Sequence, residues 1–359
     1  MISRRAVLPL LASSAAAINA QPAAGRKTRN IIFVMTDGLR WQELFQGADL
    51  SLMEKNEPLK KAYWRDTVQD RRKALMPFLW STVAKQGQIF GNRERGSDAY
   101  VTNGFNFSYP GYSETLCGFA DPRIDSNDNK PNPNKTVLEW LHEGTAFRFH
   151  IAAFAAWETF QYILNAKRAG FVVNAGYDVF RMGPSPELEL LNRLKRELPH
   201  DWESEPFDAI TFHTALYFFK RTKPAVFFLS LGETDEWAHA GKYAQYLHAA
   251  RRVDDYLREL WDTAQSLPQY RGATTLIVSP DHGRGEAPTE WKSHGQKIPD
   301  SKYIWMAFLG PDTPSLGERS NIAPVTQSQI AATLAAFLGE DYAAAVPNAG
   351  APIGDVLRK

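Results

Sequence analysis

Apolar residues follow two patterns along this chain, continuous short runs and stripes recurring every three or four positions. The runs are Asn30-Ile-Ile-Phe-Val-Met-Thr, Ala225-Val-Phe-Phe-Leu-Ser-Leu and Thr274-Thr-Leu-Ile-Val-Ser. Their length, their β-branched content and their lack of polar alternation predict strands buried on both faces of a parallel sheet. Phe149-His-Ile-Ala-Ala-Phe and Tyr303-Ile-Trp-Met-Ala-Phe-Leu predict two further strands. The clearest stripe is Tyr246, Leu247, Ala250, Val253, Leu257, Leu260 and Trp261, which predicts one long helix over 243–266. Shorter helices are predicted over 185–198, 207–220 and 325–338, and an amphipathic one from Leu75 to Gly87. The charge-dense stretch from Glu43 to Arg72 reads as a solvated surface insertion near the Asp37 loop. Pro110-Gly111 predicts a turn, followed by a short helix from Tyr112 that stops at Gly118. Strands separated by helices give a three-layer α/β/α sandwich around a mostly parallel central sheet.

The first twenty residues interrupt that pattern. Ser3-Arg4-Arg5, a short apolar core and an Ala/Ser-rich run to Ala20 read as an export signal, of Sec or twin-arginine type, too short for a stable span. Residues 21–29 form a polar linker, and 30–359 are expected to be a single domain that works in the periplasm or outside the cell. Losing Arg4 and Arg5 takes the formal charge from +1 to −1. With no basic run, neither a nucleic-acid backbone nor an acidic membrane is an expected partner, and no transmembrane span follows the signal. Cys117 is the only cysteine, so an exported chain has no internal disulfide available and relies on its core and on any bound metal. The sequence sets no oligomeric state.

Polar residues at the ends of the predicted strands carry the chemistry. Asp37 follows the first run, Asp235 and His239 lie four apart after the second, Asp281-His282 closes the third, and His294 lies one loop beyond. A carboxylate and an imidazole four residues apart reach one ion from a single turn, and an Asp-His pair offers oxygen and nitrogen together. Each pair alone is as readily a turn or a helix N-terminus, but four groups at successive strand ends are hard to explain that way. The other five histidines, His142, His150, His200, His213 and His248, have no partner spacing and read as ordinary core or surface residues. Ser108 stands just ahead of a predicted helix N-terminus, where amides and the dipole favour an anion, though a turn or capping serine has the same placement. Trp157, with Phe160 and Tyr162, is a candidate pocket wall or simply core.

These residues resemble the alkaline phosphatase superfamily of metallohydrolases, and most of all its nucleotide pyrophosphatase/phosphodiesterase branch. In that branch a Thr or Ser precedes an aromatic-Pro step, as in Ser108-Tyr109-Pro110, with Tyr112 and Gly118 matching the Tyr and Gly downstream. The resemblance runs from Asn30 to about Leu338. It implies a nucleophile at Ser108 and an oxyanion-binding residue at Asn129, 21 positions later. It assigns Asp37, Ser108, Asp281 and His282 to the ion that activates the nucleophile, and Asp235, His239 and His294 to the other. The mixed ligands suit two divalent ions, Zn²⁺ first, with Mn²⁺ accepted by the same set.

Two departures shape the expected substrate. Phe154–Phe160 lacks the Lys-x-Arg of monoester-specialised members, leaving Arg123 and Lys167-Arg168 as stand-ins, and Cys117-Gly-Phe-Ala-Asp does not fit the sulfatase pattern. The expected function is an exported hydrolase of small-molecule phosphate esters. Phosphodiesters and nucleotide pyrophosphates are preferred, with Arg123, Asn129 and Trp157 toward the substrate. The alternatives are a phosphomonoesterase, a sulfatase- or mutase-like member, and an inactive binding protein with the same fold.

Overall fold

In the computed structural model, which describes residues 25–53 and 55–358, Asn30–Thr36 is buried along its whole length. It lies inside an eight-stranded sheet. The order from one edge is Val172–Ala175, Ile151–Ala155, Val226–Leu231, Asn30–Thr36, Thr274–Pro280, Met306–Leu309, Gln88–Phe90 and Gly317–Glu318. Every pairing is parallel except those of Met306–Leu309, which runs against both of its neighbours. Thr36 pairs with Leu231 on one side and Pro280 on the other. The carboxyl ends of the three central strands are therefore level, and the residues that follow emerge side by side.

Strand alternation divides the core between the two faces. Ile32 and Val34 pack with the helices Asp208–Thr222 and Tyr243–Ser266. Ile31, Phe33 and Met35 face Ser108–Cys117, Val137–Gly144 and Ile330–Phe337. This is the expected three-layer sandwich. The long helix has the predicted limits, and the helix Pro186–Glu197 begins where Ser185 accepts a hydrogen bond from the Leu188 amide, an N-cap worth about 1 kcal/mol.

The structure corrects several expectations. The helix predicted from Leu75 to Gly87 does not form as one piece: Val68–Leu75 ends, the chain breaks at Met76-Pro77, and helical turns resume over Leu79–Gln86. Proline disfavours the helical conformation of the residue before it, and the buried Asp254 carboxylate caps the restart through the amides of Phe78 and Leu79. The charge-dense insertion contributes Leu44, Phe45, Leu59 and Tyr63 to the core rather than lying wholly in solvent. Val325-Thr326 pairs in parallel with Ala99-Tyr100, so the helix predicted from Val325 starts only at Ile330. The end of the expected linker is tied down, since the amides of Lys27 and Thr28 donate to Asp312 and that of Arg29 to Ala273. The expected export signal, residues 1–20, lies outside the described residues.

Candidate metal centre

Asp37 and Asp281 leave adjacent strands at the same level, and each has one carboxylate oxygen fixed by the protein. Asp37 Oδ2 accepts from the Tyr112 hydroxyl at 3.1 Å, and Asp281 Oδ1 accepts from the Gly38 amide at 3.0 Å. The other two oxygens, Asp37 Oδ1 and Asp281 Oδ2, are buried without a hydrogen-bond partner. Both look onto His282 Nε2, at 3.2 and 3.5 Å. Gly38 has φ +57, and a Cβ there would stand 2.7 Å from Asp235 Oδ1 and 3.2 Å from His282 Cε1, so the tight loop needs glycine.

Asp235 and His239 lie one turn apart on the helix Glu233–His239, with His239 Nε2 3.0 Å from Asp235 Oδ2. His294 Nε2 is 2.9 Å from His239 Nε2 and 3.6 Å from Asp235 Oδ1. The His282 and His294 rings stack with centroids 3.9 Å apart, joining the two halves of the site. The ring tautomers follow from the other nitrogens. His282 Nδ1 donates to the Gly283 carbonyl at 2.8 Å and His294 Nδ1 to that of Asn106 at 3.2 Å, which leaves both Nε2 lone pairs facing inward. Two sets fall within coordination reach of one point, Asp37 with Asp281 and His282, and Asp235 with His282 and His294.

The charge balance fits a cation. Burial raises the carboxyls of Asp37 and Asp281 well above the usual range, with the other site carboxylates adding to the effect. Burial also acts on Asp235, but Arg284, His294 and His239 outweigh it and hold that carboxyl well below the usual range. Burial lowers His282 to about 4 and His294 to about 2, so both imidazoles are neutral near pH 7 and able to act as ligands. Orphaned carboxylate oxygens, inward lone pairs and a mixed nitrogen and oxygen donor set are what a divalent ion requires.

Ser108 is the first residue of the helix Ser108–Cys117, with its Oγ 3.4 Å from His282 Nε2. The expected turn at Pro110-Gly111 is instead the first turn of this helix. Proline is tolerated there because early amides have no intrahelical acceptor. Gly111 is required inside the helix because a Cβ would come within 2.3 Å of the Asp281 carbonyl. Gly118 ends the helix in the left-handed region, as the sequence suggested. The loop before Ser108 passes through Asn106 at φ +54 and is clamped by the buried Glu114, whose carboxylate accepts from both the amides and the side chains of Thr102 and Asn103.

The structure brings together all seven expected metal residues, and it gives the residues expected to meet substrate the following protein partners. Asn129 accepts at Oδ1 from the Thr159 hydroxyl, at 2.9 Å. Asn127 also lies at the start of the Ser108 helix, its Oδ1 accepting from the Tyr109 amide at 2.9 Å. Arg123 lies beyond the far end of the Ser108 helix, its fork on Asp121 and Asn134. Arg168 is bound to Glu139 and to the carbonyls of Asn132 and Asn134. Trp157 is half-buried against the second core layer, just past the strand Ile151–Ala155. Sequence reasoning missed Arg284, which is buried and donates to the Asp235 carboxylate and carbonyl. Its position two residues after His282 was the only signal.

The sequence profile of the family described as type I phosphodiesterase / nucleotide pyrophosphatase matches residues 51–307, which include every site residue above except Asp37 and Gly38. No curated protein matches the sequence. Among solved structures, the wild-type alkaline phosphatase PafA is similar over 92% of this chain and 99% of its own, with TM-score 0.58 and 10% identity. The lipoteichoic acid synthase LtaP from Listeria monocytogenes is similar over 89% and 74%, with TM-score 0.58 and 11% identity. A 2-O GAG sulfatase, BT1596, is similar over 92% and 74%, with TM-score 0.56 and 14% identity. These likenesses are of fold.

Proposed function

The chain belongs to the type I phosphodiesterase / nucleotide pyrophosphatase family, and from that premise we propose that it is an exported two-metal hydrolase of phosphate diesters and nucleotide pyrophosphates, acting through a covalent intermediate on Ser108. The observation that carries the reading is the approach of Ser108 Oγ to His282, where the unpartnered oxygens of Asp37 and Asp281 converge.

In this reading Asp37, Ser108, Asp281 and His282 hold one divalent ion, and Asp235, His239 and His294 hold the other. When bound, the pair supplies the positive charge that favours ionised Ser108 and the non-bridging oxygens of the ester. Ser108 releases its proton to solvent, and Oγ bonds to phosphorus as the bond to the leaving-group oxygen breaks. Water then attacks the phosphorus, the Ser108 Oγ–P bond breaks, and the serine recovers a proton. The helix N-terminus at Ser108 favours the anion throughout. Asn127 orders the first turn through the Tyr109 amide. Asn129 keeps its amide group for the substrate while Thr159 fixes its carbonyl.

The preference for diesters follows from charge. A monoester brings one more negative charge than a diester, and the arginines expected as counter-charges are engaged on Asp121 and Glu139. Trp157 at the same sheet edge suits an apolar or nucleoside ester group. Export is supported by the pattern of residues 1–20. Among the described residues no helix is long and apolar enough to cross a membrane.

The test combines elemental analysis with kcat/KM for nitrophenyl esters. Close to two divalent ions per chain are expected, Zn²⁺ first, with a nucleotide diester turned over in preference to a phosphate monoester or a sulfate ester. Absence of stoichiometric metal after reconstitution overturns the metal assignment. A monoester preference makes the protein a phosphomonoesterase instead.

A further inference from the structure

We infer that Arg284 is a positioning residue that braces the ligands of one ion, Asp235, His239 and His294, an inference that rests on the two-metal reading above. Those ligands come from two elements without continuous secondary structure between them. Asp235 and His239 lie on the helix Glu233–His239, and His294 lies in the loop that follows the turn Glu290–Lys292. One guanidinium spans the gap. Arg284 Nη2 donates to the Asp235 carboxylate and, at 3.1 Å, to the Asp235 carbonyl. Nη1 donates at 2.8 Å to the carbonyl of Lys292, two residues before His294.

The brace is itself anchored. The Gly285 carbonyl accepts from Arg40 Nη1 at 3.0 Å, and Arg40 is paired with the buried Glu43, which also accepts from the hydroxyls of Tyr243 and Tyr246. Arg284 Nε is buried without an acceptor, so the side chain is not placed to satisfy every donor. Its placement satisfies the two-sided reach. A planar fork with fixed donor directions can do this, and a lysine ammonium cannot. The other half of the site has separate supports, Tyr112 on Asp37, the Gly38 amide on Asp281, and Gln327 on the Asp281 carbonyl. Loss of Arg284 is therefore expected to weaken the ion on Asp235, His239 and His294 far more than the other.

A purely electrostatic role predicts the opposite sign. A cation on Asp235 competes with a metal ion for the same carboxylate, so removing it would tighten binding. The experiment titrates metal-free full-length protein with Zn²⁺ and resolves the two binding steps in wild type, Arg284→Met, Arg284→Lys and His239→Ala. His239→Ala identifies the step that belongs to the braced ligands. The expected result is that this same step weakens about 10- to 100-fold in both Arg284 variants, the range for partners that orient metal ligands. The other step stays within about threefold of wild type. Tighter binding, unchanged binding, or equal weakening of both steps in a variant with wild-type circular dichroism overturns the inference. If Arg284→Met does not fold, Arg284→Lys alone decides, since it keeps the charge and loses the fork. If wild type itself takes up no ions, the two-metal reading fails instead, and the two failures are distinct.

Discussion

Asp37 Oδ1 stands 3.2 Å from His282 Nε2, and both atoms present lone pairs. The proton of His282 is on Nδ1, donated to the Gly283 carbonyl, and the other oxygen of Asp37 is engaged by Tyr112. Once Asp37 is ionised these are two acceptors held face to face in a buried place, which is costly unless a cation lies between them. Ser108 Oγ approaches the same imidazole nitrogen, so the nucleophile and the electrostatic demand share one point.

Replacing Ser108 by Ala is expected to lower turnover by at least about a thousandfold, because no covalent path remains. Metal content should stay near that of wild type, since Asp37, Asp281 and His282 still offer three ligands. Parallel activity and elemental analysis of Ser108→Ala and Ser113→Ala check this. A dead Ser113→Ala beside an active Ser108→Ala would move the nucleophile by one helical turn.

Gly38→Ala tests the tightness of the loop. The residue has positive φ, and the added methyl would meet Asp235 Oδ1 at 2.7 Å. Metal affinity and activity should both fall together, by about tenfold or more, a range typical when the geometry around ligands is disturbed. Binding and activity within error of wild type would show that the loop relaxes freely.

Arg123→Ala is expected to leave the ratio of diester to monoester kcat/KM within about twofold of wild type, the guanidinium being tied to Asp121 and Asn134. A monoester preference that collapses in the variant would bring Arg123 to the substrate after all.

Asp254 gives a pH dependence of stability away from the metal ligands. Burial pushes its carboxyl from 3.8 up to about 7, against hydrogen bonds from the amides of Leu79 and Phe78. Between those values the native state holds more protons than the unfolded chain. The stability this group contributes is therefore full below pH 3.8 and is lost as pH rises through about 7, with a slope of at most ~1.4 kcal/mol per pH unit. Thermal melts from acid to neutral pH should decline more steeply in wild type than in Asp254→Asn. Equal slopes would remove Asp254 as the source.

What could be read from the sequence was whatever obeys a period or a strand end. Asp37 and Asp281 were legible because a buried run fixes where its last residue emerges, and Asp235 with His239 because four residues make one helical turn. Pro110-Gly111 was misread because turn chemistry and a helix's first turn tolerate the same residues, and only the Asp281 carbonyl against Gly111 distinguishes them. The hydrogen bond from the Tyr109 amide to Asn127 depends on the path of an irregular loop, which has no period. Arg284 was invisible for a similar reason: a lone arginine shows its acceptors only when two distant segments meet.

The most direct test of the covalent path through Ser108 is the stereochemical course at phosphorus, followed with a nucleotide diester made chiral by isotopic oxygen and sulfur. Each in-line displacement inverts the phosphorus centre, so attack by Ser108 followed by attack of water restores it. Wild-type protein loaded with metal is predicted to give products with retained configuration. Inversion would mean that water attacks the ester directly and would contradict the account.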